Sequence, residues 1–312
     1  MMNAQYPDEV SSAKRYLNQH YAVKSAFDNR TALREGADLT LGAAEAGIER
    51  EDLHYGMGLD FANWLVNKRR ESRYQKSKNR LPKIVAEGDS WFLHPLVSDI
   101  IDNLSDTYAV KCLAAAGDEF IQMIEAQDSI SSALIEEDSS ILLLSGGGND
   151  LLGDRFVNWL RERPSDGAFT PTDILNEDYS QMLNKVLTEY GNLFDHLFTK
   201  HNKLRVITHG YDYVIPRYGK EGKWLGSALE VRGFDSRYEN ERRGIVREVV
   251  NQFNQRLKLL ADDFNSRNGG KERVLVVSGL NVVQSWYDEI HPDAENAGKI
   301  AELFHEKLRS LL

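Results

Sequence analysis

A serine hydroxyl attacks a carbonyl only when a neighbouring base takes its proton. The chain carries a serine and such a base in two distant segments, Gly88-Asp89-Ser90 and Asp288-Glu289-Ile290-His291-Pro292. Asp288 precedes His291 by three residues. One turn of chain therefore brings its carboxylate to the imidazole, where it selects the tautomer and stabilises the imidazolium that forms. Between the two segments lie Gly117 and the run Gly146-Gly147-Gly148-Asn149-Asp150. The backbone N–H groups of Ser90 and Gly117, with the Asn149 side-chain amide, would make an oxyanion hole. Each such donor is worth about 10²–10³ in rate. The spacing points to acyl chemistry, with Ser90, Asp288 and His291 as the catalytic set.

Something must bring these segments together. From Leu81 onward, short apolar runs alternate with helical periodicity. Lys83–Glu87, Tyr108–Leu113, Ile141–Leu144, Leu204–Thr208 and Arg273–Val277 predict five strands. Ile141–Leu144 is an unbroken apolar run, the mark of a strand buried on both faces. Leu96, Val97, Ile100, Ile101 and Leu104 recur at helical spacing, and a second helix passes through Phe120, Ile121 and Ile124. Val246, Val250, Phe253, Leu257, Leu260 and Phe264 mark a long helix closed by Gly269-Gly270, and a last helix follows Pro292. Parallel strands need crossover connections, so this alternation predicts an α/β fold: a doubly wound three-layer α/β/α sandwich around a five-stranded parallel sheet. Ligands of such sheets bind at the carboxyl ends of the strands. Ser90, Gly117 and Asn149 each follow a strand, and the His291 loop follows the fifth.

The ordered set Gly88-Asp89-Ser90, Gly117, Gly147-x-Asn149-Asp150 and Asp288-x-x-His291-Pro292 resembles the SGNH/GDSL hydrolases. The resemblance spans roughly residues 83–312, in four short blocks, and leaves residues 1–80 uncovered. It maps the family's nucleophilic serine, oxyanion glycine, oxyanion asparagine and histidine base onto Ser90, Gly117, Asn149 and His291. What it implies is a flavodoxin-like sandwich with serine esterase, lipase, thioesterase or carbohydrate deacetylase activity and no cofactor. Trp91 stands where the family's older signature has leucine, and is expected to narrow or flatten the acyl site as a substrate-pocket residue.

Plainer readings compete at several positions. Ser90 also suits a helix N-cap, and Asp89 suits an ordered turn. The glycines at 146–148 fit a tight turn; no lysine and Ser/Thr follow in phosphate-loop spacing, and a dinucleotide fingerprint lacks its third glycine. His209, ending the fourth strand, is either a substrate-pocket residue or a turn histidine. His94, followed by Pro95, reads as a packing or capping residue. His196 and His201 fit no metalloprotease spacing, so no metal is expected. Leu151–Ile174 and Ile215–Asn240 exceed the usual connection length and carry Phe156, Trp159, Phe169, Tyr218, Trp224, Phe234 and Tyr238. They are expected to recognise the acyl or alcohol group, unless they cover apolar surface or form a subunit contact. Acyl transfer to a sugar or other alcohol, and a non-catalytic binding protein on the same fold, are the alternatives to hydrolysis.

With 312 residues, 41% hydrophobic and 28% charged, the chain can bury a core without disulfide or metal staples. Its net charge of -10 argues against a nucleic-acid or anionic-membrane binder. A single cysteine, Cys112, excludes an internal disulfide and a cysteine-based zinc site. No apolar run approaches the ~18–20 residues of a membrane span, and Met1 to Val10 lacks a secretory pattern. The expectation is cytoplasmic, with signal-independent export left open. Residues 1–80 carry 13 basic and 11 acidic side chains against 25 and 37 in the remainder. We read 1–80 as a mostly helical extension, with Phe61, Trp64 and Leu65 at helical spacing, ahead of a hydrolase domain at 81–312. Its closing basic stretch, Lys68 to Arg80, is a solvated helix and linker or a contact for a protein or anionic partner. The expected substrate is a small-molecule, lipid or carbohydrate ester, and a homo-oligomer is compatible with all of this.

Overall fold

The computed structural model describes residues 9–25, 28–33 and 59–312. Its first elements are helix α1 (Glu9–His20), strands β1 (Tyr21–Ser25) and β2 (Asp28–Leu33), and helix α2 (Leu59–Ser77). β1 and β2 form an antiparallel hairpin. Sequence periodicity does not reveal this hairpin, because Tyr21, Val23 and Leu33 are too few apolar positions to set a period of two. Residues 1–8, 26–27 and 34–58 of the expected helical region lie outside the described residues.

The five apolar runs form β3 (Lys83–Gly88), β4 (Ala109–Cys112), β5 (Ile141–Ser145), β6 (Arg205–His209) and β7 (Val274–Val277). They make one parallel sheet in the order β4-β3-β5-β6-β7. Ile141, Leu142, Leu143 and Leu144 of β5 are all buried, and full burial of such side chains is worth ~1.5–3 kcal/mol each. The helices are α3 (Ile100–Leu104), α4 (Phe120–Glu125), α5 (Gln127–Glu136), α6 (Gly148–Leu152), α7 (Pro171–Ile174), α8 (Glu177–Lys200), α9 (Leu225–Val231), α10 (Glu239–Arg267) and α11 (Ala294–Leu311). α2, α3 and α11 pack on one face of the sheet, and α4, α5, α8 and α10 on the other. The protein is thus a three-layer α/β/α sandwich. Strand order reverses between β3 and β5, where Gly88 pairs with Ser145, so the switch-point crevice opens at the carboxyl ends of these two strands.

Several helices differ from the sequence expectation, two of them in ways that bear on the layers. The helix expected from Leu96 starts at Ile100, because Asp99 caps it by accepting the Asp102 N–H. The 24-residue α8 was not among the expected helices.

α2 joins the same hydrophobic core through Phe61, Leu65 and Val66. Within the basic stretch, Arg70 turns inward to Asp99 and Asp102, which also receive Lys14 from α1. Two cations thus face two carboxylates out of water, where an unpaired charge would cost several kcal/mol. Arg73 pairs with Asp106 and Lys76 with Glu9 nearer the surface.

Candidate active site

Ser90 follows β3, and His291 sits in the loop between β7 and α11. The fold brings His291 Nε2 to 2.7 Å from Ser90 Oγ. On the other side of the ring, Nδ1 lies 2.8 Å from Asp288 Oδ2 and 3.0 Å from Oδ1. Asp288 Oδ1 also accepts the N–H groups of Ile290 and His291 at 3.0 and 2.9 Å. The carboxylate thereby folds its own turn before it orients the imidazole. Burial alone would raise the Asp288 carboxyl, but His291 beside it and these hydrogen bonds hold it well below the usual carboxylate range. An ionised carboxylate, an imidazole and a hydroxyl in one hydrogen-bonded chain can activate that hydroxyl as a nucleophile.

Ser90, Gly117, Asn149, Asp288 and His291 line one pocket of about 30 Å³. Gly117 has a φ of +90°, which L side chains rarely adopt. Neither the Ser90 nor the Gly117 N–H donates to another described residue. Asn149 spends one amide proton on the Asp118 carbonyl at 2.8 Å, and its amide has a second. Gly147, with a φ of +93°, caps the short α6 that carries Asn149. Burial raises Asp118 and Asp150, which adjoin these donors, each to about 6.

The pocket wall also holds Leu59, His94, Pro95, Ala116 and Trp224, of which only Trp224 was among the aromatics expected from sequence to recognise substrate. Leu59 lies on α2 and Trp224 in the second long connection. His94 does both things: its Nδ1 accepts the N–H groups of Leu96 and Val97, and its ring faces His291 edge-on at 4.6 Å. Burial and the neighbouring His291 push its pKa well below the ordinary value. The two N–H donors then leave the ring proton on Nε2. His94, Asp288 and His291 are the one group among the described residues with ligand atoms close enough for a metal ion. Both nitrogens of His291, however, already have partners in Ser90 and Asp288.

His209 is not a pocket residue. It is 1% exposed and lies beneath the site, with Nε2 2.8 Å from Ser145 Oγ and Nδ1 3.0 Å from the Gly210 carbonyl. The end of a buried central strand turns it into the core, where its ring packs on Trp91 and Phe92. Trp91 is itself buried and donates to the Ile290 carbonyl at 3.0 Å, which ties the serine turn to the histidine loop. It borders a second, smaller crevice beside Ser90. Asp89 orders the turn: Oδ1 accepts Trp91 N–H and Ser145 Oγ–H, and Oδ2 accepts the Tyr211 hydroxyl. That hydroxyl in turn accepts the Gly148 N–H at 3.0 Å.

The two long connections hydrogen-bond to each other through Arg163 N–H to the Arg232 carbonyl, and Arg232 to the Val157 carbonyl. Of their named aromatics, Trp224 reaches the pocket, whereas Phe156, Trp159 and Phe234 are buried in the core. Trp224 is held there by Glu289, whose carboxylate accepts the N–H groups of Arg217, Lys223, Trp224, Leu225 and Gly226. Glu289 directly follows Asp288, so one short segment positions both the His291 imidazole and one pocket wall.

Fold and site together define a doubly wound α/β sandwich with a serine–histidine–aspartate hydrogen-bonded chain at its switch point. No family model matches the chain, and no curated protein matches it. Among solved structures it is similar to lipases and esterases. A lipase, Lip_vut3, from a goat rumen metagenome shares 13% identity at a TM-score of 0.49, covering 74% of this chain and 97% of its own. A Clostridium thermocellum family 3 carbohydrate esterase shares 15% at 0.44, covering 74% and 98%. An extracellular lipase from Streptomyces rimosus shares 11% at 0.44, covering 72% and 99%.

Proposed function

We propose that this protein is a serine-dependent carboxylic ester hydrolase that works through an acyl-enzyme on Ser90. The observation that carries the reading is the continuous chain from Asp288 through both nitrogens of His291 to Ser90 Oγ. Ser90 Oγ attacks the ester carbonyl as His291 Nε2 takes its proton, and the carbonyl π pair moves onto oxygen. Asp288 stabilises the imidazolium without taking the proton itself. Ser90 N–H, Gly117 N–H and the Asn149 amide hold the oxyanion. Collapse of the tetrahedral intermediate expels the alcohol, protonated by His291. Water, deprotonated by the same ring, then hydrolyses the acyl-enzyme and releases the acid and free Ser90.

Leu59, Pro95, Ala116 and Trp224 wall the pocket beside Ser90. This supports esters of small acyl groups, acetyl before longer chains. The test is labelling with a fluorophosphonate, which traps a serine activated by a base and oxyanion donors. Wild type is expected to label, and Ser90→Ala to lose both labelling and p-nitrophenyl acetate turnover while keeping its melting temperature within a few degrees. Full activity in Ser90→Ala would overturn the proposal.

A further inference from the structure

The Gly117 N–H can serve an oxyanion only if its peptide unit faces the right way, and a residue outside the four sequence blocks is hydrogen-bonded to that unit. Asn63 lies on α2, one turn after the pocket residue Leu59. Its amide makes two bonds to a single residue: Nδ2 donates to the Ala116 carbonyl at 3.0 Å, and Oδ1 accepts the Ala116 N–H at 3.1 Å. The Ala116 carbonyl and the Gly117 N–H belong to one peptide unit. That unit is planar and trans, so its C=O and N–H point in opposite directions. A donor on the carbonyl therefore holds the Gly117 N–H turned away from α2.

The alternative orientation is a peptide flip, to which glycine at a positive φ offers little resistance. A flip would swap the directions of the two groups. The Ala116 carbonyl would then lose its donor from Asn63, and the Gly117 N–H would point back towards α2. A carbonyl oxygen in place of the N–H would repel an oxyanion. Leu59 braces the same turn: a Cβ on Gly117 would come within 2.9 Å of Leu59 Cδ2.

We propose that Asn63 is a positioning residue for the oxyanion hole, clamping the Ala116–Gly117 peptide in its donor orientation, so that α2 is part of the catalytic apparatus. The inference rests on the hydrolase reading above, in which the Gly117 N–H is an oxyanion donor.

Three variants of the full chain test it: Asn63→Ala, Asn63→Asp and Asn67→Ala. Asn63→Asp keeps the acceptor for the Ala116 N–H but sets a carboxylate oxygen against the Ala116 carbonyl, which favours the flip at unchanged side-chain size. Asn67 donates to the Ala114 carbonyl at 3.0 Å, upstream of the critical peptide, and reports on loosening of α2 alone. Both Asn63 variants are expected to lower kcat on p-nitrophenyl acetate by about 10- to 100-fold, approaching the loss of a whole donor, with KM within about threefold. The second-order rate of fluorophosphonate labelling should fall in parallel, because the phosphoryl oxygen uses the same donors. Asn67→Ala should keep kcat within about threefold even where its melting temperature drops. Folded Asn63 variants with near-wild-type kcat, or an equal loss in Asn67→Ala, would overturn this inference alone. Retained activity in Ser90→Ala would remove the hydrolase reading and this inference with it.

Discussion

Asp288→Asn replaces a carboxylate by its neutral isostere, and the hydrogen bonds of the turn dictate how the new amide must sit. Oδ1 accepts two backbone N–H groups, from Ile290 and His291, and lies 3.0 Å from His291 Nδ1, whereas Oδ2 has no backbone donor and lies closer to the imidazole, at 2.8 Å. In the variant the amide oxygen keeps the Oδ1 position, because an NH₂ there would oppose two N–H donors. The NH₂ therefore falls 2.8 Å from His291 Nδ1 and donates to it. This closer contact favours a lone pair on Nδ1 over a proton shared with the amide oxygen at 3.0 Å, and so places the ring proton on Nε2, which faces Ser90 Oγ. His291 has then lost the lone pair with which, on the proposed mechanism, it takes the Ser90 proton. The carboxyl is normally held ionised far below neutral pH, so stabilisation of the imidazolium is lost as well. For comparable triads the wrong tautomer lowers kcat by about 10⁴, near 5 kcal/mol of activation free energy. Stability should barely change, since both backbone N–H groups keep an acceptor. Asp288→Ala provides the contrast: it strands two buried N–H groups, at ~1–3 kcal/mol each, and should lower the melting temperature as well as the rate. The assay is the pre-steady-state burst of p-nitrophenol from p-nitrophenyl acetate, with melting followed by circular dichroism. A rate for Asp288→Asn above one-tenth of wild type would refute the assigned tautomer logic.

Two further outcomes are expected. Glu87, 4% exposed and one residue before Gly88, is pushed up to about 8 by burial, against one hydrogen bond from the Gly88 N–H. Between its unfolded value near 4.5 and 8, the folded state holds a proton that the unfolded state has released. Stability should therefore fall as pH rises through that window, by up to ~5 kcal/mol. Glu87→Gln should flatten this part of the urea-midpoint profile, and parallel profiles would contradict the assignment. Leu59→Ala should enlarge the pocket and shift kcat/KM from acetyl towards butyryl esters by about tenfold or more, since one methylene is worth 10–200-fold in such sites. An unchanged chain-length preference would place the acyl group elsewhere.

Three parts of the candidate site were legible because each follows soon after a strand. A buried parallel strand reads as a short apolar run, and the residues just after it lie at the carboxyl edge. Ser90, Gly117 and Asn149 could be found in this way, and Asp288 by its spacing from His291. His209 shows the limit of the rule. It also ends a strand, yet a residue at that junction can face the edge or the core, and packing against Trp91, Phe92 and Phe304 sent it inward. Trp224 was visible only as one aromatic among seven in two long connections. What singles it out is the Glu289 carboxylate gathering five backbone N–H groups around it, a contact between segments far apart in sequence. α2 was obscured for a different reason. Its buried face includes Arg70 beside Phe61, Leu65 and Val66, so hydropathy showed a basic, solvated stretch where the fold has an internal ion cluster.

By itself the sequence determined the alternation of strands and helices, the parallel sheet this requires, and the order of the chemical groups along its edge. These follow from local periodicity and from glycine, aspartate and serine at turns, where a few neighbouring residues decide the backbone. The tertiary structure alone decided which side chains share the pocket, which way the Ala116–Gly117 peptide faces, and that α2 contributes Leu59 and Asn63. Those outcomes depend on contacts between segments that meet only after the sheet has formed, and no local pattern encodes the distance between them.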